Sequence, residues 1–309
     1  MKDKILYFLL FSWVKIHAIL PMFILYFLSD ILYFFIYHIT RYRRKVVRSN
    51  LINSFSEKTE KDIIILERRF YHHFTDHLVE TIKLAHISQE ELLNRMNVRN
   101  PEVVLDLLDK GQTCLIASLG HYCNWEWLSG VAPSFDDRVI LYHIYRPLKN
   151  AAFNRLFTYF RTRFNSVGIK KNEAKQDMIA LKNDKTPSFT CFIADQTPSK
   201  EKLQYWKTFL NQDSAILTGQ ERVAKSLDIP VVFVDMIKVK RGYYTVDLIL
   251  ITDKPKETPD YYITDKYVEL MEKSILRDPA YWLWTHKRWK HKRMEDGKWR
   301  EESVNSTEM

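Results

Sequence analysis

Three short stretches of the chain hold side chains able to carry proton transfer or to grip an anion. Gly120-His121-Tyr122-Cys123-Asn124-Trp125-Glu126-Trp127 sets a histidine and a glutamate five positions apart, directly after the apolar run 113–119. Tyr145-Arg146-Pro147 closes a second apolar run, and Ala194-Asp195-Gln196-Thr197 closes a third. A carboxylate hydrogen-bonded to one imidazole nitrogen fixes the tautomer, raises the basicity of the other nitrogen and stabilises the imidazolium. His121 and Glu126 are therefore expected to form a general base and its charge partner, about 2.6 to 3.2 Å apart. On a regular helix, residues five apart are turned by roughly 140°. The pair can meet only across a corner, with His121 ahead of a helix and Glu126 in its first turns, and Tyr122, Cys123, Asn124 and Trp125 as the turn between.

No serine sits in a GxSxG elbow, so the nucleophile must come from the substrate, as when a hydroxyl attacks a thioester directly. Arg146, held by an aspartate such as Asp195, would orient a phosphate or stabilise an oxyanion. Taken singly, each block has a plain alternative: a solvated glutamate near a capping histidine, or a structural ion pair. Convergence of His, Glu, Arg and Asp at several strand ends is what a site looks like. In open α/β sheets, ligands bind beyond the carboxyl ends of the strands.

The other reactive residues suggest less. His73 and His77 have a spacing that could ligate a metal on a helix face, yet no third ligand of clear spacing lies near, and packing is expected for them. No metal and no cofactor are expected. Cys114, Cys123 and Cys191 are too few and scattered for a disulfide framework, which suits a reducing compartment. Cys123 reads as a small packing residue. The 7 glycines form neither a GxGxxG nor a GxxxxGK[ST] pattern, which removes support for a nucleotide-phosphate cradle.

The elements that must position these residues alternate from residue 101 onward. Helices are expected over 103–108, 124–130, 151–164, 173–181 and 217–227, and strands over 113–119, 138–145, 188–194, 230–239 and 243–251. That order predicts an α/β fold, a mostly parallel sheet flanked by helices with a late antiparallel hairpin. Ahead of it, Ser56 and Thr59 are candidate caps for an amphipathic helix over 60–84.

The first forty residues are dominated by Leu, Ile, Phe, Tyr, Met and Val, interrupted by Lys15, His17, Pro21 and Asp30. A span needs about 20 apolar residues, so either one imperfect span or a helix pair lying in the interface is expected. Tyr7, Trp13, Tyr26, Tyr33 and Tyr37 resemble an interfacial belt. The basic cluster from Arg41 to Arg48 places the rest of the chain on the cytoplasmic side. The expected division is a membrane anchor over 1–40, a catalytic domain over 41–300 and a polar tail over 301–309. The net charge of +9 is clumped there and in Lys287, Arg288, Lys290, Lys292, Arg293, Lys298 and Arg300. Interleaved with Trp282, Trp284 and Trp289, these cations fit an anionic lipid surface and a phosphorylated substrate. With a membrane anchor in the chain, they do not point to nucleic acid.

Taken together, GHYCNWEW, YRPLKN with the following FNRLFTYFRTRFN, ADQTP, the terminal WLWTHKRWK and the early RRKVVRSNL resemble the lipid A biosynthesis acyltransferases of Gram-negative bacteria. These are a branch of the lysophospholipid acyltransferase superfamily. The resemblance implies an enzyme on the cytoplasmic face of the inner membrane that moves an acyl chain from an acyl carrier protein to a hydroxyl of a lipid A precursor. It implies His121 as base and Glu126 as its partner. It also implies Arg146 and Asp195 as substrate-positioning residues; Asn124 and the basic-rim residues Lys287 and Arg288 are expected as further substrate contacts. ADQTP continues here as SKEKLQYWKTFLNQ, where these enzymes usually have a Gly-rich segment, so the acceptor pocket is expected to differ. Acylation of a lysophospholipid or aminolipid, from acyl carrier protein or CoA, is the alternative within the class. A non-enzymatic membrane-surface binder is the alternative outside it.

Overall fold

A computed structural model describes residues 2–135, 137–294 and 299–301. Helices α1 (Lys2–Ala18) and α2 (Met22–Tyr33) form a pair broken at Pro21, and α2 continues as a π-helical turn over Phe34–Ile39. Next come α3 (Arg44–Ser54) and α4 (Glu60–Lys83). Thr59 and Asp62 close a capping box at the start of α4, satisfying donors that the helix itself cannot. Ser56 is not the cap.

Then follow α5 (Gln89–Arg95), β1 (Met96–Val98), α6 (Glu102–Asp109), β2 (Cys114–Leu119), β3 (Ile140–Tyr145), α7 (Ala151–Thr162), β4 (Val167–Lys170), α8 (Ala174–Asn183) and β5 (Ser188–Ile193). The chain goes on through β6 (Trp206–Phe209), β7 (Gln212–Ala215), α9 (Gly219–Leu227), β8 (Val231–Lys240), β9 (Tyr243–Thr252), α10 (Tyr262–Arg277), β10 (His291–Arg293) and β11 (Trp299–Glu301).

Seven strands form the central sheet in the order β1-β9-β8-β2-β5-β3-β4, parallel except where β9 turns back on β8. All six residues of β2 are buried, as a strand covered on both faces requires. The β8–β9 turn needs Gly242: its φ is +73°, and a Cβ there would lie 1.8 Å from the Tyr26 hydroxyl.

The sheet sorts the helices into two layers. Along β3, Tyr142 packs with Ile169 and Ala174 on the side of α8, while His143 faces the other way toward Ser166. Ser118 bonds Gln220 of α9, and Asp235 bonds Ser274 and Arg277 of α10. On the opposite face Lys238 meets His73 and Asp76 of α4. Helices α4 and α7 thus cover one face, and α8, α9 and α10 the other.

The N-terminal pair lies along the α4/α7 layer and is not a detached anchor. Phe11 packs edge-on to Tyr159 of α7 at 5.0 Å, and Arg155 stacks over Tyr7 at 4.1 Å. From α2, Ser29 donates to Asp76 at 2.9 Å, Tyr26 donates to Glu80 at 2.9 Å, and Asp30 pairs with Arg241 at 2.6 Å. The outward faces carry Ile5, Phe8, Leu9, Trp13 and Ile16 on α1, and Phe23, Phe27, Ile31, Phe34 and Phe35 along α2 and its extension, all exposed. Met22–Ile39 is long and apolar enough to cross a membrane, with 22% of that stretch buried against the protein.

The aromatic belt is corrected in part. Trp13 is exposed, but Tyr37 is buried, Tyr26 is bonded inward and Tyr7 is stacked on Phe11. The early basic cluster is partly internal as well, since Arg44 and Arg48 both pair with the buried Glu67.

Candidate active site

Beyond the carboxyl ends of β2, β3 and β5 lies a cleft of about 900 Å³ that His121, Glu126 and Arg146 all line. Gly120 lets the chain leave β2 here. A Cβ at that position would lie 2.5 Å from the Met271 sulfur and 3.3 Å from Cβ of Asp195. The next residues make a tight corner instead of a helix. Tyr122 forms a β-bridge with Trp282, Cys123 takes a left-handed φ of 52°, and its N–H donates to Tyr281 O at 3.0 Å. Asn124 then accepts from the Trp127 N–H at 3.2 Å, just ahead of a single 3₁₀ turn over Trp127–Gly130. The helix expected over 124–130 is reduced to that turn because long-range bonds, absent from local sequence, hold the corner.

This geometry changes the partner of the histidine. The Nδ1–H of His121 donates to Asp195 Oδ1 at 2.8 Å, and its backbone N–H donates to Oδ2 at 2.9 Å. Trp282 Nε1 donates to the same Oδ2 at 2.8 Å. Asp195 is 4% exposed. Burial acts to raise its pKa, but the His121 imidazole and these three donors outweigh it and hold the carboxyl down at about 2. Asp195 is therefore a fixed anion that holds the proton of a neutral His121 on Nδ1 and leaves Nε2 without one. The Gln196 amide nitrogen sits 3.4 and 3.5 Å from the two ring nitrogens.

Glu126 has a different hydrogen-bond partner from the one expected. Its carboxylate is bound bidentately by Arg161 of α7, at 2.8 and 2.6 Å, and the glutamate is buried. Burial alone would raise its pKa, and the Arg161 guanidinium reverses this, keeping Glu126 ionised. The pair ties the 120–127 corner to α7. Arg161 is a site residue that the sequence reading missed, although a buried glutamate implies a cation somewhere.

The remaining expectations divide. Arg146 lines the cleft but is exposed, and the aspartate expected to hold it is engaged with His121 and Trp282. Asn124 is fully buried behind the corner, donating to Glu80 Oε2 at 2.7 Å, and so cannot touch substrate. Arg288 is also buried, stacked near Phe209 behind Asp195, and burial lowers its pKa to about 10. It is not a rim cation.

Lys287 is exposed and does not line the cleft. Lys298 and the residues after 301 lie outside the described residues. Trp282, Trp284 and Trp289 are core residues and form no interfacial surface. The terminal block instead meets the early one: Asn50 donates to Trp284 O at 2.9 Å and His286 O at 3.0 Å, and Arg43 donates to Thr285 O at 3.0 Å.

Other histidines near His121 and Asp195 are neutral. Burial brings His77, which packs 4.0 Å from the Trp125 ring, down to about 4, and does the same for His143 and His286. The Cys191 thiol at the cleft wall is pushed up by burial to about 12 and stays protonated. Among the described residues, no group of three or more His, Cys, Asp or Glu side chains is arranged to hold a metal ion. His73 and His77 are buried packing residues of α4.

No curated protein matches this chain. A model of the bacterial lipid A biosynthesis acyltransferase family matches residues 2–291, nearly the whole chain, over the same corner, cleft and apolar helix pair. The chain belongs to the bacterial lipid A biosynthesis acyltransferase family: it is a membrane-associated acyltransferase acting on lipid A-like substrates.

Proposed function

We propose that the protein transfers a fatty acyl chain from a carrier-bound thioester to a hydroxyl of a lipid A precursor, with His121 as general base and Asp195 as its partner. The hydrogen bond between His121 Nδ1 and Asp195 Oδ1, at the wall of the cleft, carries this reading. Nε2 takes the proton from the acceptor hydroxyl as its oxygen attacks the thioester carbonyl. The carbonyl oxygen becomes an anion, and the Gln196 amide beside the imidazole supplies an N–H donor toward it. The intermediate collapses with cleavage of the C–S bond, and the imidazolium returns its proton to the leaving thiolate. The acyl group passes directly from sulfur to oxygen, and no acyl-enzyme forms.

The membrane arrangement supports the same reading. Helix α1, with its exposed apolar face, packs on α7, whose Phe157, Thr158 and Arg161 line the cleft, and Leu148, which also lines it, is exposed. A helix pair whose Asp30 is bonded to Arg241 of the sheet hairpin lies in the membrane interface, at the cytoplasmic face of the inner membrane. The deciding experiment is mass spectrometry of host lipids with and without the protein, together with acyl transfer by purified wild type and His121→Ala. Loss of one acyl chain from lipid A on deletion, and no transfer by the variant, is expected. An unchanged lipid A with an altered lysophospholipid or aminolipid profile would transfer the assignment to that acceptor, and full activity of His121→Ala would overturn the mechanism.

A further inference from the structure

The cleft has two arms that wrap the ends of β3 and β5, one in each helix layer. The α7 arm holds Leu128, Leu141, Phe157 and the neutralised Glu126–Arg161 pair. The arm on the α8/α9 side is rimmed by Lys171 and Lys175 at the start of α8, Lys202 in the loop before β6, and Arg222 of α9, all exposed. Glu126 is the sole carboxylate lining the cleft among the described residues, and Arg161 occupies it. Two carboxylates close in sequence to these lysines are engaged with other groups: Glu173 with Lys170 at 3.1 Å, and Glu201 with Ser199. Among the described residues no carboxylate forms an ion pair with Lys171, Lys175, Lys202 or Arg222.

This concentration of positive charge has a definite place. The exposed apolar helices α1 and α2 pack on the α4/α7 layer, whereas the cationic rim belongs to the opposite layer, across the sheet. A lipid acceptor held in the membrane at α1 and α2 would approach on the α4/α7 side. A group drawn to the rim arrives on the layer that faces away from the membrane helices. Unneutralised cations around a reactive cleft focus field and speed the approach of an anionic partner from water.

We propose that the rim formed by Lys171, Lys175, Lys202 and Arg222 is the docking surface for an acidic, water-soluble protein that delivers the acyl thioester into the cleft on a tethered arm. Donor and acceptor then enter from opposite helix layers and meet at His121. The proposal rests on the carrier-bound thioester reading above, and adds where the donor binds and through which side chains.

The test uses the full-length protein in detergent micelles. Binding of a labelled holo acyl carrier protein is measured by fluorescence anisotropy at low and high salt, for wild type and for Lys171→Glu/Lys175→Glu/Lys202→Glu. Co-flotation with vesicles containing anionic phospholipid is measured in parallel. Wild-type affinity should fall with salt, the triple variant should bind the carrier about tenfold or more weakly, and vesicle binding should persist. Replacement of the same three lysines by Gln should give an intermediate loss, which separates charge from misfolding. Unchanged carrier affinity in the Glu variant overturns the proposal. Retained carrier affinity with lost vesicle binding also overturns it and assigns the rim to lipid headgroups. Wild type that transfers from acyl-CoA but does not bind the carrier removes the docking surface while the acyltransferase chemistry stands. An active His121→Ala removes that chemistry whatever the docking result.

Discussion

Asp195 Oδ1 lies 2.8 Å from His121 Nδ1 across 74 positions of sequence, while Oδ2 of the same carboxylate accepts the His121 backbone N–H at 2.9 Å. One anion thus fixes both the ring and the main chain of the residue it serves. Asp195→Asn would keep the volume but can present an N–H to Nδ1 and so favour the wrong tautomer. We expect kcat to fall by about 10³ to 10⁴ with KM little changed, measured as steady-state acyl transfer. A loss under tenfold would remove Asp195 from the dyad.

Glu126 and Arg161 should behave as a structural couple. Glu126→Gln leaves the guanidinium facing the corner without its counter-charge, and breaking a buried pair from one side costs about 3 kcal/mol. Adding Arg161→Met should recover much of that loss. Denaturant unfolding of the two single variants and the double variant measures the coupling, and simple additivity would contradict it.

Acid sensitivity follows from the buried histidines. His77, His143 and His286 are held at about 4, below the ordinary value of 6.5, so the folded protein keeps them neutral where the unfolded chain protonates them. The unfolded state binds more protons between pH 6.5 and 4, and stability therefore drops as pH falls through that window. Asp195, depressed to about 2, acts lower: its contribution is full above the unfolded value of 3.8 and disappears as pH falls toward 2. Melting temperature against pH should show the first loss, and His77→Phe should flatten its slope.

How much of this could be read beforehand depends on the range of the interactions. Strands β2, β3, β5, β8 and β9 were legible because buried strands leave apolar runs bounded by turn residues. Strand β4 was not, for it has four residues and Ile169 alone buried. Helix α10 carried no expectation although Ile263, Tyr267, Val268, Met271 and Ile275 fall at helical spacing, a pattern the sequence does contain. His121, Glu126 and Asp195 stood out by type and by position at strand ends. Their pairing did not, because the bridge from Tyr122 to Trp282 that turns the corner joins residues 160 positions apart in sequence. Arg288 and Asn124 failed as substrate contacts for the same reason: what covers a side chain is set by distant segments.

Glu80 provides a further test. Its carboxylate accepts from Tyr26 of α2 at 2.9 Å, Asn124 of the corner at 2.7 Å and Tyr244 of β9 at 2.8 Å. Its carbonyl accepts from Trp127 Nε1 at 2.9 Å. Tyr26→Phe removes one bond far from the cleft and should lower stability by about 1 kcal/mol. It should also lower kcat several-fold, because the corner loses part of its support. Stability loss with wild-type kcat would show that the bond does not reach the catalytic turn.

The inward face of α2, with Tyr26, Ser29 and Asp30, is built into the wall behind the corner at His121, whereas Phe23, Phe27 and Ile31 on its outward face are exposed. A water-soluble form of this enzyme therefore cannot be obtained by trimming its N-terminus, which would open the interior around Glu80 and Asp76. It calls for recoding the outward positions alone: Phe8, Trp13, Phe23 and Phe27 changed to Lys or Gln, with every inward residue left as it stands.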